Sequence, residues 1–159
     1  MDERTERGRR RSAGLPGRPA AALLALAAVL VVAYWVIWYT DRAVLAAAGT
    51  AAYEEFENAF PLADLWLAGT LLTAAVLVAR RRRAAGYWLA VAGSAGAYLF
   101  CMDVLYDLQH GIWTRGAGGA IEAGVNVATL ALSVLALRWG RAVLLTARPA
   151  ARPGPGAAG

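Results

Sequence analysis

The sequence predicts an all-α membrane protein: a bundle of four transmembrane helices with both termini in the cytoplasm. Three observations lead there. Of the 159 residues, 59% are hydrophobic, above the share of about half that is usual in soluble domains. The apolar residues gather into four runs of about 17–20 residues, the length that crosses roughly 30 Å of hydrocarbon at about 1.5 Å per helical residue. The arginines between the runs alternate in density, as they do between cytoplasmic and outer connectors.

Residues 1–19 are polar, rich in Arg and Gly, and broken by Pro16 and Pro19. They cannot bury enough apolar surface to offset chain entropy and are expected to be a disordered cytoplasmic tail. An Arg-rich segment before an apolar run also has the form of a secretory signal. The run Ala20 to Tyr39 is longer than a signal's apolar core of about 7–15 residues, however, and the small-residue stretch Ala46-Ala47-Ala48 lies past Asp41 and Arg42. Residues 20–39 are therefore expected to remain as the first span. It ends in Tyr34-Trp35-Val36-Ile37-Trp38-Tyr39, whose amphipathic rings suit the headgroup level.

After a connector, Tyr53, Phe56 and Phe60 recur at spacings of three and four, one face of a short helix lying on the membrane surface. Pro61 suits the first turn of a second span over 61–79, where its missing N–H costs the ladder nothing. Asp64 falls in the same turn, at the positive end of the helix dipole. Arg80-Arg81-Arg82-Arg83 ends the span. A third, over 86–106, opens on Tyr87-Trp88 and carries Gly86, Ala90, Gly93 and Ala97, a small-residue stripe that permits close helix contact. Gly116 to Gly119 reads as a flexible turn. The fourth span covers 120–137, with a continuation toward Leu145 before a disordered tail over 146–159. The transmembrane domain is thus 20–145.

Charge sets the orientation. All but Arg42 and Arg115 of the 16 basic residues, every one an Arg, fall before the first span, in the 80–83 loop or after Leu137 at the end of the fourth span. Cytoplasmic segments carry the Arg excess, so these three are expected on the cytoplasmic face of the membrane. Asp2, Glu3 and Glu6 share the inner tail, whereas Asp41, Glu54, Glu55, Glu57, Asp64, Asp103, Asp107 and Glu122 all map outside. Acidic residues contribute little to topology, so this clustering calls for another cause.

Asp103, Tyr106, Asp107 and His110 stand at i, i+3, i+4 and i+7, and Glu122, Asn126, Thr129 and Ser133 form a second stripe on the fourth span. Ionisable groups at membrane depth are costly and turn inward to find partners. The candidate ligand pocket is therefore Glu57, Asp64, Asp103, Tyr106, Asp107, Glu122 and Asn126, open to the outer side. Carboxylates crowded there with few cations share protons or hold a cation. Two plainer expectations stand beside this. Asn126, Thr129 and Ser133 also suit interhelical hydrogen bonds, and Glu54, Glu55, Glu57 and Asp107 also suit solvated interfacial charges.

Asp103, Asp107 and His110 offer donors that suit Zn or Mn, but one imidazole without a second His or Cys nearby is not a metal site, and none is assigned. No phosphate-binding Gly loop, Ser/His/Asp arrangement or HExxH is present, so no cofactor is expected. A lone cysteine, Cys101, excludes an internal disulfide. The Arg80–Arg83 run fits a topology and lipid-headgroup anchor rather than a nucleic-acid contact.

The segment Tyr53-x-x-Phe56-Glu57-x-Ala59-Phe60-Pro61-x-Ala63-Asp64-x-Trp66, followed by Gly93-Ser94, Met102-Asp103 and Tyr106-Asp107-Leu108, resembles small uncharacterised four-helix integral membrane proteins of bacteria. That likeness implies the fold and carries no activity. In architecture the chain is also similar to the emopamil-binding (EXPERA) superfamily, which implies an intramembrane ligand held by Glu57, Asp103, Glu122 and Asn126. No diagnostic motif of that superfamily is present.

Three functional expectations follow. The first is a non-enzymatic membrane protein whose partners are the lipid bilayer and a small cation, amphipathic ligand or membrane protein held by the acidic pocket. The second is a small membrane enzyme acting on a lipid-soluble substrate, with Asp103 or Glu122 as proton donor. The third is a structural subunit whose polar stripe packs on a partner helix.

Overall fold

A computed structural model describes residues 15–146; of the tails expected over 1–19 and 146–159, residues 1–14 and 147–159 lie outside the described residues. The helices are α1 (Arg18–Thr40), α2 (Ala51–Glu57), α3 (Pro61–Ala79), α4 (Ala85–His110) and α5 (Gly116–Thr146), with short 3₁₀ turns at Arg42–Val44 and Ile112–Thr114. No strand occurs among the described residues. Four helical stretches are long and apolar enough to cross a membrane: α1, α2 with α3, α4 and α5.

Helix ends follow local chemistry. Pro19 and Pro61 sit in the first turns of α1 and α3, where proline's fixed φ and absent N–H are tolerated. Arg18 and Pro19, expected in the tail, are therefore helical. Gly111 ends α4 in the left-handed conformation, with φ of 61°, a role glycine fills without steric cost. Thr50 caps α2, its hydroxyl accepting from the Tyr53 N–H at 3.4 Å.

The long helices form a chain of neighbours. α3 packs against α1 on one side and α4 on the other, and α4 packs against α5. The interior is built from Leu24 of α1, Leu71, Ala74 and Val78 of α3, Leu89 and Ala92 of α4, and Ala136 of α5. Large apolar side chains such as Leu26, Val29, Leu72, Val127 and Leu130 point outward. Helices apolar on every side are what a lipid surround requires.

α4 and α5 approach most closely through glycine. A Cβ on Gly93 would lie 2.9 Å from the Ser133 carbonyl oxygen and 3.0 Å from the Leu137 nitrogen, so only a residue without one admits this contact. Gly116 to Gly119, expected as a flexible turn, instead opens α5. The reason is tertiary: a Cβ on Gly118 would meet the Ala47 Cα at 2.7 Å. These glycines let the connector after α1 lie on the helix, and that packing outweighs their low helix propensity.

α2 lies across the end of the bundle opposite the Arg80–Arg83 turn. Under it Trp35, Trp38, Tyr53 and Ile112 form a second, aromatic core.

Candidate functional site

Between α1, α3, α4 and α5 lies a cavity of about 270 Å³. Much of its wall is apolar, supplied by Leu30, Val31, Leu67, Leu71, Leu99 and Leu132. The polar lining comes from Tyr34 and Trp35 of α1, Glu57 at the end of α2, Asp64 in the first turn of α3, Asp103 of α4, and Glu122, Asn126, Thr129 and Ser133 of α5. No basic side chain is among the described lining residues. The ion pair found among the described residues, Arg42 with Glu54, lies on the surface away from it.

Aromatic donors stand where cations would be expected. The Trp35 indole N–H donates to Asp64 Oδ2 at 2.9 Å, and the Tyr34 hydroxyl to Glu57 Oε2 at 3.3 Å. The Tyr53 hydroxyl donates to Glu122 Oε1 at 2.8 Å. Asp107 Oδ2 accepts from the Trp113 indole at 2.7 Å and from the Asn126 amide at 2.9 Å. Each bond meets the requirement that a buried polar group keep a partner, and each is neutral on the donor side. None of these aromatic donors reaches Asp103, which stays half-buried in the wall.

Carboxylate oxygens of Asp103, Asp107 and Glu122 all lie within 4.8 Å of one another. All-oxygen donors of this kind suit hard cations. The grouping differs from the Asp103, Asp107 and His110 set considered from the sequence. His110 is exposed, stacks on Tyr106 at 4.0 Å, and has its Nδ1 2.9 Å from the Tyr106 carbonyl oxygen.

Of the pocket residues expected from the sequence, Glu57, Asp64, Asp103, Glu122 and Asn126 line the cavity. Asp107 is buried behind Asn126 and Trp113 rather than in the wall. Tyr106 is separate: its ring stacks on Phe56 at 3.7 Å and on His110, forming an outer column from α2 to α4. The helical face that joins Asp103 to His110 in sequence is therefore split, carboxylates inward and rings outward. Glu57 and Asp107, which also suited solvated interfacial charges, are buried, whereas Glu55 is exposed and Glu54 is paired on the surface.

Sequence reasoning missed the donors. Trp35 and Trp38 were expected at the headgroup level, yet they are 8% and 1% exposed. Asp64 and Asn58 draw them inward as acceptors, Trp38 donating to Asn58 Oδ1 at 3.1 Å. Their signal was the spacing of Trp35 and Trp38, which sets two indoles on one face of α1, opposite a span that begins with an acid.

The cavity's mouth is lateral. Of its lining residues only Leu30, Val125 and Ala128 are exposed, and all three sit well inside α1 and α5. These two helices flank the cavity without packing on each other along their length. At the end opposite the Arg80–Arg83 turn α2 covers the acids, leaving Tyr53, Glu57 and Glu122 buried. Neither family models nor curated proteins nor solved structures match the chain.

Proposed function

We propose that the chain is a polytopic membrane protein that binds a small amphipathic cation, its charged head among Glu57, Asp64, Asp103 and Glu122 and its hydrocarbon part on the leucines beneath. The observation that carries this reading is the lining: carboxylates on four elements converge on one apolar cavity with no basic side chain among them. Carboxylates in a low-dielectric site are costly without a counter-charge, even when hydrogen-bonded, and a cationic head compensates several of them at once. A volume of about 270 Å³ falls just below the range of ligand pockets, about 300 to 1,000 Å³, so the ligand is a short-chain amine or quaternary ammonium. It enters from the bilayer between α1 and α5, past Leu30 and Ala128.

Burial of Asn126 and Ser133, 2% and 4% exposed, supports this over a partner-binding stripe, which needs those groups on the lipid-facing surface. On the distribution of arginine we place both termini and the Arg80–Arg83 turn on the cytoplasmic side of a bacterial inner membrane, with α2 on the outer side.

The test is calorimetric titration of the full chain in detergent with hexyltrimethylammonium and with its uncharged carbon isostere. The ammonium should bind at one site, at least tenfold tighter than the isostere, and Ala128→Trp at the mouth should slow its association. Equal affinity for the two, or no saturable binding of either, removes the proposal.

A further inference from the structure

A second cleft, of about 630 Å³, lies on the opposite flank of α4 and is lined by Trp66 of α3 and by Tyr87, Ala90, Ser94, Tyr98 and Leu99 of α4, among others. Trp66, Tyr87, Ser94 and Tyr98 are exposed. From Tyr87 to Leu99 the helix rises about 18 Å, close to one leaflet of a hydrocarbon core roughly 30 Å thick.

The turn joining the two helices that wall this cleft is Arg80-Arg81-Arg82-Arg83, and all four arginines are exposed. The turn is closed by a backbone pair, Arg81 N–H to the Val78 carbonyl at 3.0 Å and Arg82 N–H to the Leu77 carbonyl at 2.9 Å. This helix-ending arrangement puts its central residue in the left-handed region, where glycine is usual. Here that residue is Arg81, with φ of 53°. A side chain there is disfavoured, and a strained backbone position points to a gain elsewhere.

We propose that the cleft and the turn together seat one anionic phospholipid, an acyl chain along Ala90 and Ser94 and the phosphate on the Arg80–Arg83 guanidinium groups. Guanidinium forks match phosphate oxygens in charge and geometry, and basic clusters at the end of a span draw anionic headgroups. Tyr87, one turn into α4, stands at the headgroup level with a hydroxyl for the glycerol or phosphate oxygens. Nothing in this depends on what the central cavity holds.

Native mass spectrometry of the full chain in detergent, with phosphatidylglycerol or phosphatidylcholine of the same acyl composition added, reads the proposal directly. Phosphatidylglycerol should be retained at one per chain and phosphatidylcholine lost. Arg81→Gly should weaken retention roughly fivefold, the effect of one basic residue near a headgroup, while raising thermal stability because the turn is relieved. Ser94→Trp, with Val91→Phe as a second cleft-filling variant, should displace the lipid with all four arginines still present. Equal retention of the two lipids overturns the proposal, as does Arg81→Gly binding like the native chain. Undiminished binding in the folded cleft-filled variants overturns it too. So does a disulfide-linked dimer of the Ser94→Cys variant in a Cys101→Ala background, which would make a second copy the occupant.

Discussion

Tyr53 donates its phenolic hydrogen to Glu122 Oε1 at 2.8 Å, tying the short α2 to α5 across 69 residues of chain. Both partners are buried, and the Trp38 ring packs edge-on to Tyr53 at 6.1 Å. The bond is one of several contacts that hold α2 over the acidic end of the cavity, beside Trp38 to Asn58 and the Phe56 ring on Tyr106. Tyr53→Phe keeps the ring and its packing and removes only the donor. Loss of a partner to a buried acceptor costs about 1–3 kcal/mol, so unfolding in detergent should show a loss of that size. A double-mutant cycle with Glu122→Gln should give a coupling energy clearly above zero. Additive losses would mean the bond contributes nothing.

Close approach of α4 and α5 predicts an asymmetry between two glycines. Gly93→Ala forces a methyl against the Ser133 carbonyl and the Leu137 nitrogen, an overpacking that costs about 1–3 kcal/mol. A Cβ on Gly124 has nothing within 4 Å, so Gly124→Ala should be neutral or slightly stabilising by helix propensity. Thermal denaturation of the two variants side by side decides it, and equal effects would contradict the packing described.

The arginine distribution predicts opposite compartments for two exposed positions. In a Cys101→Ala background, a cysteine replacing Glu55 should react with a membrane-impermeant maleimide added outside intact cells. One replacing Arg82 should react only after permeabilisation. Labelling of both from the same side would end the four-span topology.

Much of this architecture was legible in the sequence because lipid imposes a length. The runs 20–39, 61–79, 86–106 and 120–137 each fall within a structural helix, α1, α3, α4 and α5. Convergence of Asp64, Asp103, Glu122 and Asn126 was legible too, since buried charge at membrane depth has few places to go. Other features depended on tertiary partners. Gly118 is helical because the Ala46–Ala47 backbone rests on it, which no local propensity encodes. Tyr106 and His110 share a helical face with Asp103 by spacing, but Phe56 of α2 captures the Tyr106 ring away from the cavity. Trp35 and Trp38 fit an interface belt by composition, and only the positions of Asp64 and Asn58 turn them inward. The lateral mouth depends on which helices are neighbours, and hydropathy does not contain that ordering.

The most direct test of the cavity as a cation site is the affinity of hexyltrimethylammonium for Asp103→Asn and Glu122→Gln, each shown to insert and fold. Both replacements keep size and hydrogen-bonding shape while removing charge. Truncating one partner of a buried charge pair costs about 2–5 kcal/mol, so each variant should bind at least tenfold more weakly than the native chain, with affinity for the uncharged isostere unchanged. Native affinity in both would contradict the account.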